Sequence, residues 1–379
     1  MSSSTGSTES RRTKIGSGGV TGLAGILAIA LIAAGCAKTP YSFAAHPESD
    51  LTLRLRPDEP QIERGKPNAW LDGFGHYFFS LPTKLLLLNW KVDNHRISPE
   101  VEHAIETYLH ANGLCHTKVR LNQYAPGAEW RRLFRNREMP AGWRYTLGIL
   151  SVSFYTIFPE RLLAGFPLIG GGDHYNPFTN TLSLYSGSRP IALHEGGHAK
   201  DITRKENRHW QGAYAGLRAL PLIGLGFALW QEGVASSDAL SWDLATAGSR
   251  ESKAAYRTLY PAYGTYLGGA GQSVAVFFAD GWIVYAVQYG AVVVGHVVGQ
   301  TRALFVRDRE AGLEPDLLEG RARLAAHPLF VNDPARDPAP GPDVSEAPTE
   351  SAPEPAVEPS AEPGIGLPSV PRRSACSWE

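Results

Sequence analysis

Cysteine is scarce in this chain: three among 379 residues, Cys36, Cys115 and Cys376, which excludes a fold held together by a disulfide framework. An excess of either charge is missing too. Lys and Arg number 36 against 37 Asp and Glu, and the net charge of −1 gives no basis for a nucleic-acid partner. No internal repeat runs through the sequence, so the chain is not a repeat array. No propeptide is recognisable. What the chain does have is bulk: 43% hydrophobic residues are enough to bury a full core. One sizeable domain with tails fits this length better than two equal domains.

The two ends differ in composition from the middle. Residues 1–35 read as a targeting segment, with Arg11, Arg12 and Lys14 ahead of an apolar stretch from Val20 to Ala34. That stretch is short for a membrane-spanning helix. It ends in Ala33-Ala34-Gly35-Cys36, which resembles a bacterial lipobox. The resemblance implies cleavage before Cys36, lipidation of Cys36 and anchoring to a membrane of the bacterial cell envelope, on the periplasmic or extracellular side. Residues 36–65 carry Pro40, Pro47, Pro57 and Pro60 among polar residues and read as a flexible tether. Residues 333–379, rich in Pro, Glu, Ala and Ser, read as a disordered tail. This leaves 66–332 as the folded domain.

Within it, Phe74 to Trp90 is strongly apolar, as a core helix or strand would be. Ser98-Pro99-Glu100 opens a helix striped by Val101, Ile105, Tyr108 and Leu109, and Asn112-Gly113 stops it. Thr117 to Tyr124 alternates as a strand. Trp130 to Arg137 reads as a short basic helix with a solvated face, and Trp143 to Leu163 as a buried helix.

The chemistry concentrates in Ile191-Ala192-Leu193-His194-Glu195-Gly196-Gly197-His198-Ala199-Lys200-Asp201. This contains H-E-x-x-H. Positions i and i+4 lie on one helix face, so His194 and His198 are placed to share one metal ion. Zn²⁺ is the usual ion for imidazole pairs. Glu195, roughly 100° round the helix, is the candidate general base. Pro190 suits the first turn of this helix. Adjacent glycines at 196 and 197 each cost about 1 kcal/mol relative to Ala. Their presence implies that something, substrate or neighbouring backbone, packs close to that turn.

A third ligand is needed. Glu232 is the first acid after the uncharged run from Ala219 to Trp230, and a lone carboxylate there demands a partner or a metal. H-E-x-x-H followed about thirty residues later by Glu-x-x-Ala is similar to the gluzincin zinc metallopeptidases. The resemblance covers these two segments. It implies His194, His198 and Glu232 as zinc ligands and Glu195 as general base. That group often carries a further acid four residues after the third ligand. Ser236 stands there instead, which leaves Asp238 and Asp201 as candidates to orient the ligands.

Three further features surround this core. Thr181 to Tyr185 reads as a strand, which the resemblance makes a substrate-pairing edge. His174, in the Gly-rich stretch before it, is a candidate for the cleft. Tyr263 is a candidate to stabilise an oxyanion, with packing as its alternative role. Residues 268–299 carry a single charge, Asp280, and Gly295-x-x-x-Gly299. They read either as buried helices or as a membrane-associated hairpin.

The expected fold class is α+β: a mainly helical, zincin-like domain with a small sheet beside the H-E-x-x-H helix. The expected function is a membrane-anchored, one-zinc metallopeptidase acting on peptide or protein substrates. The alternatives are a non-catalytic envelope lipoprotein with a structural or relic zinc site, and a cell-wall peptide amidase.

Overall fold

A computed structural model describes residues 52–157, 172–204, 208–217, 223–275 and 282–307. Cys36, the segment 1–35 and the tail 333–379 lie outside the described residues. The described chain is mainly helical with one small mixed sheet, compatible with the α+β class. Its strands are β1 (Ile62–Arg64), β2 (Lys118–Leu121), β3 (His174–Asn176) and β4 (Thr181–Leu184). They lie in the order β1-β2-β4-β3. The first three run parallel, and β3 pairs antiparallel with β4, Tyr175 opposite Leu182.

Parallel neighbours need crossovers, which helices supply. Between β1 and β2 come α1 (Ala69–Phe74), a π-helical turn at Gly75–Phe79, α2 (Leu81–Leu87) and α3 (Pro99–Ala111). Between β2 and β3 come α4 (Pro126–Arg135), α5 (Ala141–Trp143), a second π-helical turn at Arg144–Gly148, and α6 (Ile149–Ile157). After β4 the chain is helical throughout: α7 (Arg189–Thr203), α8 (Arg208–Gly216), α9 (Ile223–Thr246), α10 (Ser249–Ala275) and α11 (Trp282–Leu304).

The core forms where α3, α7 and α9 meet the sheet. Ile105, Tyr108, Leu109, Leu182, Leu184 and Leu193 are all fully buried there. The expected stripe of α3 is the face that is buried, and Asn112 and Gly113, the latter at φ 68°, end the helix.

Several expectations need correction. Order begins well inside the supposed tether 36–65. Leu53 and Leu55 are buried, and Ile62–Arg64 forms β1, because the parallel strand β2 needs a neighbour on that side. β4 is not an edge. It is hydrogen-bonded on both sides, by β2 and β3, so the strand at that rim of the sheet is β3. The apolar segment Phe74–Trp90 is helical but turns much of its surface outward, with Phe78 and Leu85 exposed. On α4, Arg132 is not solvated: it is buried and pairs with Glu59 at 2.5 Å.

α10 and α11 pack along each other through glycines. A Cβ on Gly264 would stand 2.8 Å from the Ala291 carbonyl, and one on Gly299 would stand 2.6 Å from that of Tyr256. The backbones therefore touch, and Gly295 and Gly299 do form a packing face. Among the described residues no helix is long and apolar enough to cross a membrane.

Candidate metal centre

α7 starts at Ser188, extended and followed by Pro190 in the first turn, directly after β4. Every residue from 192 to 201 is buried, an unusual state for a stretch with two histidines, Glu, Lys and Asp. Each polar group recorded there has a partner, which is what makes the burial tolerable.

His194 and His198 project from one face of α7, their rings 4.7 Å apart at 86°. α9 delivers Glu232 to the same point from 38 residues away. Its Oε2 lies 3.0 Å from His194 Nε2 and 3.3 Å from His198 Nε2. The ligating atoms of these three residues lie within 4.8 Å of one another. Two imidazole nitrogens and a carboxylate oxygen are the donor set of a borderline divalent ion. This buried group could hold a metal ion. Glu232 is 1% exposed, while the two histidine side chains keep 10% and 9% of their surface.

Glycines 196 and 197 explain how the two helices come so close. A Cβ on Gly197 would stand 2.9 Å from the Ala235 carbonyl oxygen of α9. One on Gly196 would stand 2.7 Å from the Tyr108 ring of α3. Neighbouring backbone and an aromatic ring, rather than substrate, occupy the space the bare turn leaves. Any larger residue at 197 would push Glu232 away from the histidines.

Ser236 Oγ, four residues after Glu232 where an acid was looked for, sits 3.2 Å from His194 Nδ1. Its position could have been read from the sequence: four residues after Glu232 is one turn along the same face. Asp201 accepts from the Tyr214 hydroxyl at 2.5 Å. Asp238 accepts from Lys200 Nζ at 2.6 Å and from the Tyr108 hydroxyl. Burial pushes the Lys200 amine down, and Asp238 opposes the shift. This Asp238–Lys200–Tyr108 group ties α9, α7 and α3 together beneath the site. No local signal in the sequence announces it, because its members are far apart in the chain.

Tyr263 reaches the neighbourhood from α10. Its hydroxyl donates to the Leu229 carbonyl at 3.3 Å, one turn from Glu232. Burial pushes its phenol up, and the Glu232 charge pushes the same way. His174 lies on the rim strand β3, its ring stacked on Tyr155 at 4.2 Å and Nδ1 bonded to the Gly172 carbonyl at 2.9 Å. It is not among the residues whose ligating atoms converge. Glu195 is buried beside the two histidines, 7% exposed.

Comparison with protein-family models, with curated proteins and with solved structures finds no match for this chain.

Proposed function

We propose that the chain is a zinc-dependent metallopeptidase of gluzincin type, held to a membrane of the bacterial cell envelope by a lipid on Cys36. The observation that carries the reading is the convergence of His194, His198 and Glu232 with Glu195 one residue from the first ligand. A structural site has no use for a general base and normally closes with a fourth protein ligand; among the described residues only three converge.

His194, His198 and Glu232 would hold the ion, whose Lewis acidity makes water a competent nucleophile near neutral pH. Glu195 takes the proton from the attacking water and returns it to the leaving amine. Ser236 fixes the His194 ring through Nδ1. Tyr263, turned away from the Leu229 carbonyl, donates to the oxygen that gains charge as the amide carbon becomes tetrahedral. Cleavage of protein or of cell-wall peptide uses the same residues.

The test is peptide-library cleavage with and without chelator. Glu195→Gln should keep its metal and its fold, yet lose hydrolysis by at least about a hundredfold, the lower end of what a general base contributes. Chelator-sensitive cutting that survives Glu195→Gln would sink the mechanism. No cutting by either protein, with metal bound, would favour the non-catalytic lipoprotein.

Cys115 is disulfide-bonded, which fits an oxidising, non-cytoplasmic compartment. Only Cys36 and Cys376 are available to pair with it. A lipidated Cys36 has no free thiol, so the bridge expected here is Cys115–Cys376. Non-reducing peptide mapping reads this directly, and a Cys115–Cys36 peptide would overturn the lipid anchor.

A further inference from the structure

α11 turns an apolar face outward along its whole length. Trp282, Tyr285, Tyr289, Val293 and Val297 recur every three or four residues, each more than half exposed. From Trp282 to Thr301 the helix carries no Asp, Glu, Lys or Arg. A second stripe, Trp70, Phe74, Phe78, Leu85 and Leu88, covers the outer side of α1, the first π-helical turn and α2, again more than half exposed at each position. The only Asp, Glu, Lys or Arg of residues 69–90 are Asp72 and Lys84, and Lys84 is buried. The helices that carry the two stripes touch: His296 on α11, beside Val297, donates from Nε2 to the carbonyl of Leu86, beside Leu85, on α2 at 2.9 Å.

A contiguous apolar surface of this kind marks an interaction site. Its chemistry favours a lipid bilayer over a protein partner. Trp and Tyr, with an apolar body and a polar tip, are the residues that settle at the headgroup boundary, and Trp70, Tyr77, Trp90, Trp282, Tyr285 and Tyr289 are all exposed on this side. No described helix is fit to span, so the face would lie along the membrane surface instead. The chain also delivers it there. Residues 37–51 separate Cys36 from the first described residue, a reach of at most ~58 Å when fully extended.

We propose that the joined faces of α11 and α1–α2 form a membrane-docking surface that seats the domain on a lipid bilayer. The choice of occupant rests on the envelope-anchor reading above. α10 stands between this face and the site: Gly264 and Gly268 meet α11, while Tyr263 bonds to α9. The metal centre then lies about two helix layers, ~20 Å, above the bilayer. That height selects membrane-proximal stretches of envelope proteins as the substrate class.

The test uses the chain expressed from residue 37, which keeps every described residue and drops both the apolar run and Cys36. It is mixed with phosphatidylethanolamine–phosphatidylglycerol vesicles and floated on a density gradient. Binding is expected, with a blue shift of tryptophan emission. A variant with Phe78→Ser, Leu85→Ser, Tyr289→Ser and Val293→Ser, its fold checked by circular dichroism, should partition at least ~10-fold more weakly. No flotation of the parent chain, or equal flotation of both, overturns the proposal. So does a vesicle-free dimer that the four substitutions dissociate, since a second copy would then be the occupant. Lipid labelling of the intact chain reads the Cys36 anchor separately. An unlabelled chain that still needs these four residues to float supports the docking face while removing the anchor.

Discussion

Glu232 sits between two imidazoles at 1% exposure, and Asp201 and Asp238, also buried, meet a tyrosine hydroxyl and a lysine. The three acids differ in what they would leave behind when removed. Glu232→Ala takes an oxygen donor from the metal group and should lower metal content as far as His198→Ala does. Asp201→Ala strands a tyrosine hydroxyl and should leave the metal in place. Metal analysis of the three variants decides this, and a filled site in Glu232→Ala would refute its role. Ser236→Ala removes the contact to His194 Nδ1, so metal affinity should fall by about 10–100-fold, the usual effect of an outer partner. Competition titration with a chromogenic chelator measures it, and unchanged affinity would mean the hydroxyl does not orient the ring. His194, Glu195 and His198 were legible in the sequence because helix geometry alone relates them. Ser236 was visible only as a departure from the gluzincin-like pattern, since an acid was looked for at that position and a hydroxyl stands there.

The helices α7 and α9 approach within backbone contact at Gly197, and this closeness is what sets Glu232 against the histidines. Gly197→Ala forces a methyl against the Ala235 carbonyl and should destabilise the fold by about 1–3 kcal/mol, the cost of overpacking. Gly226, on the same helix α9 but where a Cβ would meet nothing within 4 Å, is the control. Gly226→Ala should stabilise by about 0.5–1 kcal/mol, because alanine is the better helix former. Urea denaturation of both variants gives the comparison, and equal effects would mean the glycine pair is not a packing device. The sheet shows the opposite case, where local pattern misled. Lys118 and Arg120 alternate with Val119 and Leu121 as if one face were wet. All four are buried, because β2 is an interior parallel strand, and the cations are matched by Glu63 at 3.0 Å and Glu129 at 2.8 Å. The rim position of β3 likewise depends on which strands find each other, which no window of residues reports.

At the scale of the whole molecule, the segment ahead of β1 straps the N-terminal end to α4. Glu59 accepts from Arg132 at 2.5 Å and from Arg135 at 2.7 Å. Burial pushes its carboxyl up, but the two guanidinium groups outweigh this and hold it at about 2, against an ordinary value of 4.5. A carboxyl depressed in the folded state stabilises fully above its unfolded value and loses that contribution as pH falls toward the folded one. The strap should therefore weaken between about pH 4.5 and pH 2. The drop in urea midpoint over that window should be smaller in Glu59→Gln than in the parent, and an identical drop would show that the pairs carry no acid sensitivity. Sequence composition placed 36–65 outside the fold, because a proline-bearing polar stretch with three leucines looks like a linker. Only the presence of α4 gives Glu59 something to bind, and only the folded chain buries Leu53 and Leu55. By itself the sequence determined what is local: the helix starts and stops, the pair of histidines one turn apart, the bare turn at 196 and 197, the apolar stretches. The tertiary structure decided the rest: that Glu232 rather than another acid meets the histidines, that the bare turn faces backbone, and that the helices of the apolar stretches at 69–90 and 282–304 meet at Leu86 and His296. The division follows range, since a helix fixes neighbours three and four residues apart, while contacts across 38 residues exist only once the helices have packed.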